Sequence, residues 1–182
     1  MGLSILVIGG ARSGKSKYAL NLCNKIDKKK YIFLATAQAL DKEMEKKIKK
    51  HKNERGSKWI TIEEPVNIVD RIKEEDNINT IILLDCITLW INNLFMKRKY
   101  TIEKEISNLL KVISKIKGDI VIVSNEVGMG IVPNNQLTRK YRDILGYANQ
   151  HLAYCVNRVV FMVAGIPIII KSDFPSKYSL IS

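Results

Sequence analysis

A chain of 182 residues with 46% hydrophobic and 26% charged side chains has the make-up of one globular domain, long enough for a full core and too apolar for a disordered segment. Thirty Lys and Arg against eighteen Asp and Glu leave a formal charge of +12, which favours an anionic partner without choosing among nucleotide, phosphorylated metabolite and nucleic acid. The longest apolar stretch, VVFMVAGIPIII at 159–170, is broken by Gly165 and Pro167 and falls short of the ~20 residues of a membrane span, and the few apolar residues at the start are too short for a secretion signal, so a cytoplasmic protein is expected.

In chain order, SILVI (4–8) reads as a buried strand, and it runs directly into GGARSGKSKYAL (9–20). Gly9, four residues, then Gly14, Lys15 and Ser16 match the phosphate-binding loop pattern at every specified position. A turn that wraps a polyphosphate must aim successive backbone N–H groups inward, and the helix behind it adds its positive N-terminal end. Gly9, Gly10 and Gly14 supply the necessary backbone tolerance, while Ala11, Arg12 and Ser13 complete the loop. Lys15 is expected to reach the outer phosphates and the Ser16 hydroxyl to ligate a magnesium ion.

YIFLAT (31–36) is the second strand and delivers ATAQ (35–38) to its carboxyl end. The following segment, LDKEMEKKIKKHKNER (40–55), wound at ~100° per residue, sets Leu40, Met44 and Ile48 on one stripe that His51 continues, with Arg55 beside it. A packed histidine bonded to the backbone explains that placement, and from the residues alone it is the readier reading. A nucleophilic imidazole also fits, because the neighbouring Lys50, Lys52 and Arg55 disfavour the protonated ring and attract polyphosphate. WITIE (59–63) is the third strand. TIILLD (80–85) is the fourth and ends at Asp85, placed either to hold magnesium opposite Ser16 or to cap the next helix.

IEKEISNLLKVISKI (102–116) puts Ile102, Ile106, Leu109, Leu110, Ile113 and Ile116 on one helical face. DIVIVSN (119–125) is the fifth strand, and QLTRKYRDILGYANQHLAYCV (136–156) is a long amphipathic helix with His151 on the edge of its apolar face, a structural position. RVVFMV (158–163) and PIIIK (167–171) are joined too tightly for a crossover and should pair as an antiparallel edge hairpin. Continuous apolar strands alternating with helices predict an α/β fold, a mainly parallel sheet covered by helices on both faces, with ligands beyond the carboxyl ends of the strands. One domain over 1–182 is expected, with 172–182 as a flexible tail.

Cys23, Cys86 and Cys155 are odd in number and far apart, which argues against a disulfide framework or a zinc site. The basic tracts KKK (28–30) and KRK (97–99) sit in turns with little aromatic interleaving, so nucleic acid is not expected as a partner.

GGARSGKS, ATAQALDKEM, HKNER, LLDCITLWINNLF and SNEVGMGIVPNNQLTRKYRDILGYANQHLA together resemble the bifunctional adenosylcobinamide kinase and adenosylcobinamide-phosphate guanylyltransferase family of cobalamin synthesis, in the same order from about residue 3 to about residue 171. The resemblance implies a RecA-like P-loop NTPase fold and two reactions. ATP or GTP phosphorylates adenosylcobinamide, and GTP then guanylylates a histidine, here His51, from which GMP passes to adenosylcobinamide phosphate. It implies nucleotide contacts at Gly9 to Ser16, Ala35, Thr36, Ala37, Lys52, Asn53, Glu54, Arg55, Glu63 and Asp85, and a homotrimer. Some relatives carry a second histidine before the nucleophile where this chain has Lys50. Glu126 stands where a base for the kinase step or a structural carboxylate would be. The competing readings are a monofunctional small-molecule P-loop kinase without covalent guanylylation, a regulatory GTPase-like module, which lacks an NKxD element here, and a nucleic-acid motor, for which 182 residues leave little room.

Overall fold

The computed structural model describes residues 1–38, 56–97 and 100–173. Seven strands form a single sheet: β1 (Ser4–Gly9), β2 (Lys30–Ala35), β3 (Trp59–Glu63), β4 (Thr80–Asp85), β5 (Asp119–Asn125), β6 (Arg158–Val163) and β7 (Ile166–Ser172). They lie in the order β3-β2-β4-β5-β1-β6-β7. Every pairing is parallel except β6 with β7, so the expected edge hairpin is present. Its turn, Ala164 and Gly165, has positive φ at both residues (50° and 83°), the two-residue geometry whose twist matches that of paired strands. β7 extends to Ser172, which pairs with Arg158.

Five helices are described: α1 (Lys15–Lys25), α2 (Ile68–Glu75), α3 (Ile87–Lys97), α4 (Ile102–Ile113) and α5 (Gln136–Cys155). Because side chains alternate along a strand, each central strand feeds two cores. Leu6, Ile32, Leu34, Ile82, Leu84, Ile120 and Ile122 pack with α2, α3, α4 and α5 on one face. Ile5, Val7, Phe33, Ala35, Ile81, Leu83, Val121 and Val123 pack with Ala19, Leu22 and Cys23 of α1 on the other. The helices are therefore shared unevenly between the faces among the described residues, four against one. Trp90 in α3 is completely buried and donates its indole N–H to the Val66 carbonyl at 2.8 Å.

The amino-terminal edge of the sheet is tied by Asp119, which is 1% exposed. Its Oδ1 accepts from the Leu3 amide at 2.8 Å and its Oδ2 lies 3.0 Å from the Lys28 ammonium. Lys30 is paired with Glu75, so the 28–30 tract is anchored on carboxylates, with Lys29 between its two paired lysines. Among the described residues no helix is long and apolar enough to cross a membrane.

Candidate active site

Gly9 ends β1, and the loop behind it turns back on itself through a Ser13 N–H to Gly10 carbonyl bond at 3.3 Å. A side chain at Gly9 has no room: a Cβ there would stand 2.6 Å from the Met162 carbonyl oxygen and 2.8 Å from the Ser13 hydroxyl. Gly14 precedes α1 with φ of 88°, in the left-handed region that a glycine enters without strain. Among the described residues no side chain caps the start of α1, so its first amides are placed for an anion. Ala11 and Arg12 are exposed on the rim, and Ser16 is half-buried in the first turn of α1.

Lys15 donates to the Gly10 carbonyl at 3.0 Å, which holds the ammonium folded over the loop. Burial keeps its pKa below the usual 10.5, and the neighbouring Cys86 and Asp85 partly offset that effect. The loop also has an outside brace. The Gly165 amide of the β6–β7 turn donates to the Ser13 carbonyl at 3.1 Å.

The register brings the sequence-selected residues of the other strands to the same edge. Glu63 is level with Ala35, and Ala35 with Asp85. Asp85 is level with Val123, two residues short of Asn125, and Asn125 is level with Gly9. Alternation puts Glu63, Ala35, Asp85, Asn125 and Gly9 on the face that carries α1. Thr36 is fully buried at this edge, where its hydroxyl donates to the Cys86 carbonyl and accepts from the Cys86 amide, both at 2.8 Å. It braces the junction after Asp85, whose peptide bond to Cys86 is cis. Ala37 is half-buried just beyond. His51, Lys52, Asn53, Glu54 and Arg55 lie outside the described residues.

Ser16 and Asp85 are hard oxygen donors of the kind a magnesium–polyphosphate complex uses. Among the described residues there is no group of three or more His, Cys, Asp or Glu side chains suited to a metal, so the fitting arrangement is an ion shared with phosphate rather than caged by protein. Burial keeps the three cysteines as thiols. Burial pushes the Cys86 thiol up to about 12 and raises Cys23 and Cys155 as well. His151 keeps to its own helix, with Nδ1 2.9 Å from the Tyr147 carbonyl and the two rings 4.0 Å apart.

Glu126 has its Oε1 accepting the Gly128 amide of its own loop, an arrangement that suits the structural alternative. The sequence brings its neighbour, Asn125, to the carboxyl end of the fifth strand but assigns it no role. The Asn125 amide donates to the Thr88 hydroxyl at 2.8 Å, and its carbonyl accepts from Asn149 Nδ2 at 3.0 Å, while Asn149 Oδ1 accepts from the Ser124 hydroxyl at 2.6 Å. The polar SN pair ending an otherwise apolar strand was the available signal.

A parallel sheet, a glycine loop feeding α1 and an acid two strands away define the class: this is a P-loop NTPase fold. Solved structures agree on the fold. The chain is similar to the flagellar accessory protein FlaH of Methanocaldococcus jannaschii, with a TM-score of 0.51 and 13% identity, covering 94% of this chain and 79% of that one. It is likewise similar to a structure titled "Structural study of Project ID PH0250" from Pyrococcus horikoshii OT3, with a TM-score of 0.53 and 12% identity, covering 97% and 89%. Residues 5–170 match the family described as cobinamide kinase / cobinamide phosphate guanyltransferase, and the chain belongs to that family. Among its relatives, a bifunctional adenosylcobalamin biosynthesis protein CobP of Pseudomonas aeruginosa is 38% identical over 169 residues, covering 92% of this chain and 97% of the relative. The bifunctional CobU protein of Escherichia coli is 37% identical, covering 93% of this chain and all of the relative.

Proposed function

We propose that the chain phosphorylates adenosylcobinamide and then transfers GMP from GTP, through a guanylylated His51, to adenosylcobinamide phosphate, giving adenosylcobinamide-GDP. Family membership makes the chain an enzyme of the cobinamide kinase and guanyltransferase kind. The observation that carries the site reading is the common edge: Gly9, Ala35, Glu63 and Asp85 share one face and one end of the sheet with the start of α1. One loop then serves both reactions. In the kinase step the substrate hydroxyl attacks the γ phosphorus and the nucleoside diphosphate leaves. In the transfer step an imidazole nitrogen of His51 attacks the α phosphorus and pyrophosphate leaves, after which the phosphate of the acceptor displaces the histidine from GMP.

Lys15 sits at the outer phosphates, and the amides at the start of α1 bind the triphosphate oxygens. A magnesium ion held by Ser16 and Asp85 would supply further charge neutralisation on the polyphosphate. Ala11, Arg12, Ser13, Thr36, Ala37, Lys52, Asn53, Glu54, Arg55 and Glu63 complete the proposed nucleotide site, with Thr36 acting through the backbone it braces. The support for His51 is the family match together with HKNER (51–55), the motif that carries the resemblance at this histidine. A cytoplasmic homotrimer is part of the same reading.

Labelled GTP tests it. Label at the α position is expected to appear on the protein as an acid-labile adduct, label at the γ position is not, and His51→Ala abolishes the adduct. A wild-type protein that phosphorylates adenosylcobinamide yet never carries α label is a plain kinase, and the transferase mechanism is then wrong.

A further inference from the structure

Two buried side-chain oxygens at the site have no hydrogen-bond partner among the described residues, Ser13 Oγ in the phosphate loop and Asn125 Oδ1 at the end of β5. The Asn125 side-chain oxygen is buried and accepts no hydrogen bond among the described residues. Leaving a buried acceptor unpaired costs about 1–3 kcal/mol, and native structures tolerate few such groups without a reason. The residue is not loosely held. Its amide and carbonyl are fixed by Thr88 and Asn149, and the next amide, that of Glu126, donates to the Gly9 carbonyl at 3.0 Å. The backbone is thus locked on three sides while the carboxamide oxygen has nothing to bond.

Its place in the sheet says what it faces. β5 lies between β4, which ends in Asp85, and β1, which ends in the phosphate loop. Asp85 and Lys15 bracket the outer end of a triphosphate bound in such a loop, because the lysine reaches the β and γ phosphates and the acid stands opposite. Asn125 stands between those two brackets, level with Gly9 and on the same face. The innermost phosphorus, the target of the transfer step, belongs to the other end of the triphosphate. Glu126 has its Oε1 turned to the Gly128 amide of its own loop.

We propose that Asn125 is a catalytic residue of the phosphoryl-transfer step, its side-chain NH2 donating to a γ-phosphate oxygen and its side-chain oxygen accepting from the acceptor hydroxyl. This rests on the two-reaction reading above. A carboxamide carries both a donor and an acceptor and titrates at no working pH, so it can orient both reactants without removing the proton. During the step the bond from the β-bridging oxygen to the γ phosphorus breaks, and its electron pair stays on the nucleoside diphosphate. The hydroxyl oxygen bonds to the γ phosphorus, and the hydroxyl proton passes to an oxygen of the transferred phosphoryl group. The neutral amide also puts no negative charge against the γ phosphate, which a carboxylate at 125 would do.

The experiment compares wild type with Asn125→Ala, Asn125→Ser and the near-isosteric Asn125→Asp in two separate assays. One follows phosphoryl transfer from γ-labelled nucleotide to adenosylcobinamide. The other follows GMP transfer from GTP to adenosylcobinamide phosphate supplied as such. Loss of one hydrogen bond to a charged reacting group predicts a fall of about 10- to 100-fold in the kinase kcat of Asn125→Ala, with nucleotide KM nearly constant. Asn125→Asp falls further and Asn125→Ser recovers part of the loss. The fall in kinase kcat exceeds the fall in GMP transfer by about tenfold or more in Asn125→Ala and Asn125→Asp, and by a smaller factor in Asn125→Ser. Equal losses in the two assays, or a kinase kcat that stays at the wild-type value, overturn the assignment to Asn125. A wild-type protein that performs neither reaction overturns the two-reaction reading itself, and this assignment with it.

Discussion

Lys15 is held in two ways, by the Gly10 carbonyl it donates to and by the burial that lowers its pKa. A buried ammonium with a lowered pKa loses its proton at a lower pH than a free lysine, and only the protonated form attracts phosphate. The free enzyme's kcat/KM for nucleotide should therefore decline on the alkaline side with a midpoint below 10.5. Bound phosphates favour the charged form, so the corresponding limb of kcat should lie at higher pH. An alkaline limb of kcat/KM at or above the ordinary lysine value would contradict the burial argument. Tyr141, which donates to the Thr88 carbonyl at 2.8 Å and is pushed up to about 12 by burial, is excluded as the source of an earlier limb.

At the scale of elements, Asp119 shows how the amino-terminal edge is bound together. It joins β5 to the amide leading into β1 and to the turn before β2. Removing one member of a buried ion pair leaves the other uncompensated, so Asp119→Ala should destabilise the protein by about 3 kcal/mol. That corresponds to a fall in Tm of roughly 6–12 °C for a domain of this size, read by thermal unfolding. All seven strands were legible in the sequence because central parallel strands are continuous apolar runs ended by polar residues, as in TIILLD and DIVIVSN. The helices were less so. α3, ITLWINNLFMK, buries Ile87, Thr88, Trp90, Ile91, Asn93 and Leu94, leaving no broad polar face to reveal its period. α2 has only eight residues, too few to show a stripe. Within the site, the phosphate loop and Asp85 could be read from spacing and position along the chain. Asn125 could be read only as the polar end of the fifth strand, because a missing hydrogen-bond partner depends on which strands end up side by side, and β5 lies between β4 and β1.

For the whole molecule, the open side of the sheet is the feature that asks for a partner. Among the described residues β7 closes the order with nothing paired on its outer side, and Ile166, Ile168, Ile169 and Ile170 are each between 47% and 65% exposed on it. An apolar edge of this length is usually covered or protected by charge. If the proposed homotrimer uses it, sedimentation should give a mass of about three chains for wild type, and a paired Ile168→Lys, Ile170→Lys substitution should shift it toward one. A monomeric wild type would refute the trimer.

The placement of β1 bears on the order of events in synthesis. The amide leading into β1 is bonded across 116 residues to Asp119, its own first amide across 153 residues to Asn157, and its loop is braced by Gly165. The nucleotide grip is thus translated long before either of its flanking strands exists, and no early fragment can assemble it. A nascent chain is expected to hold a triphosphate only after β6 and the turn that follows it have left the ribosome.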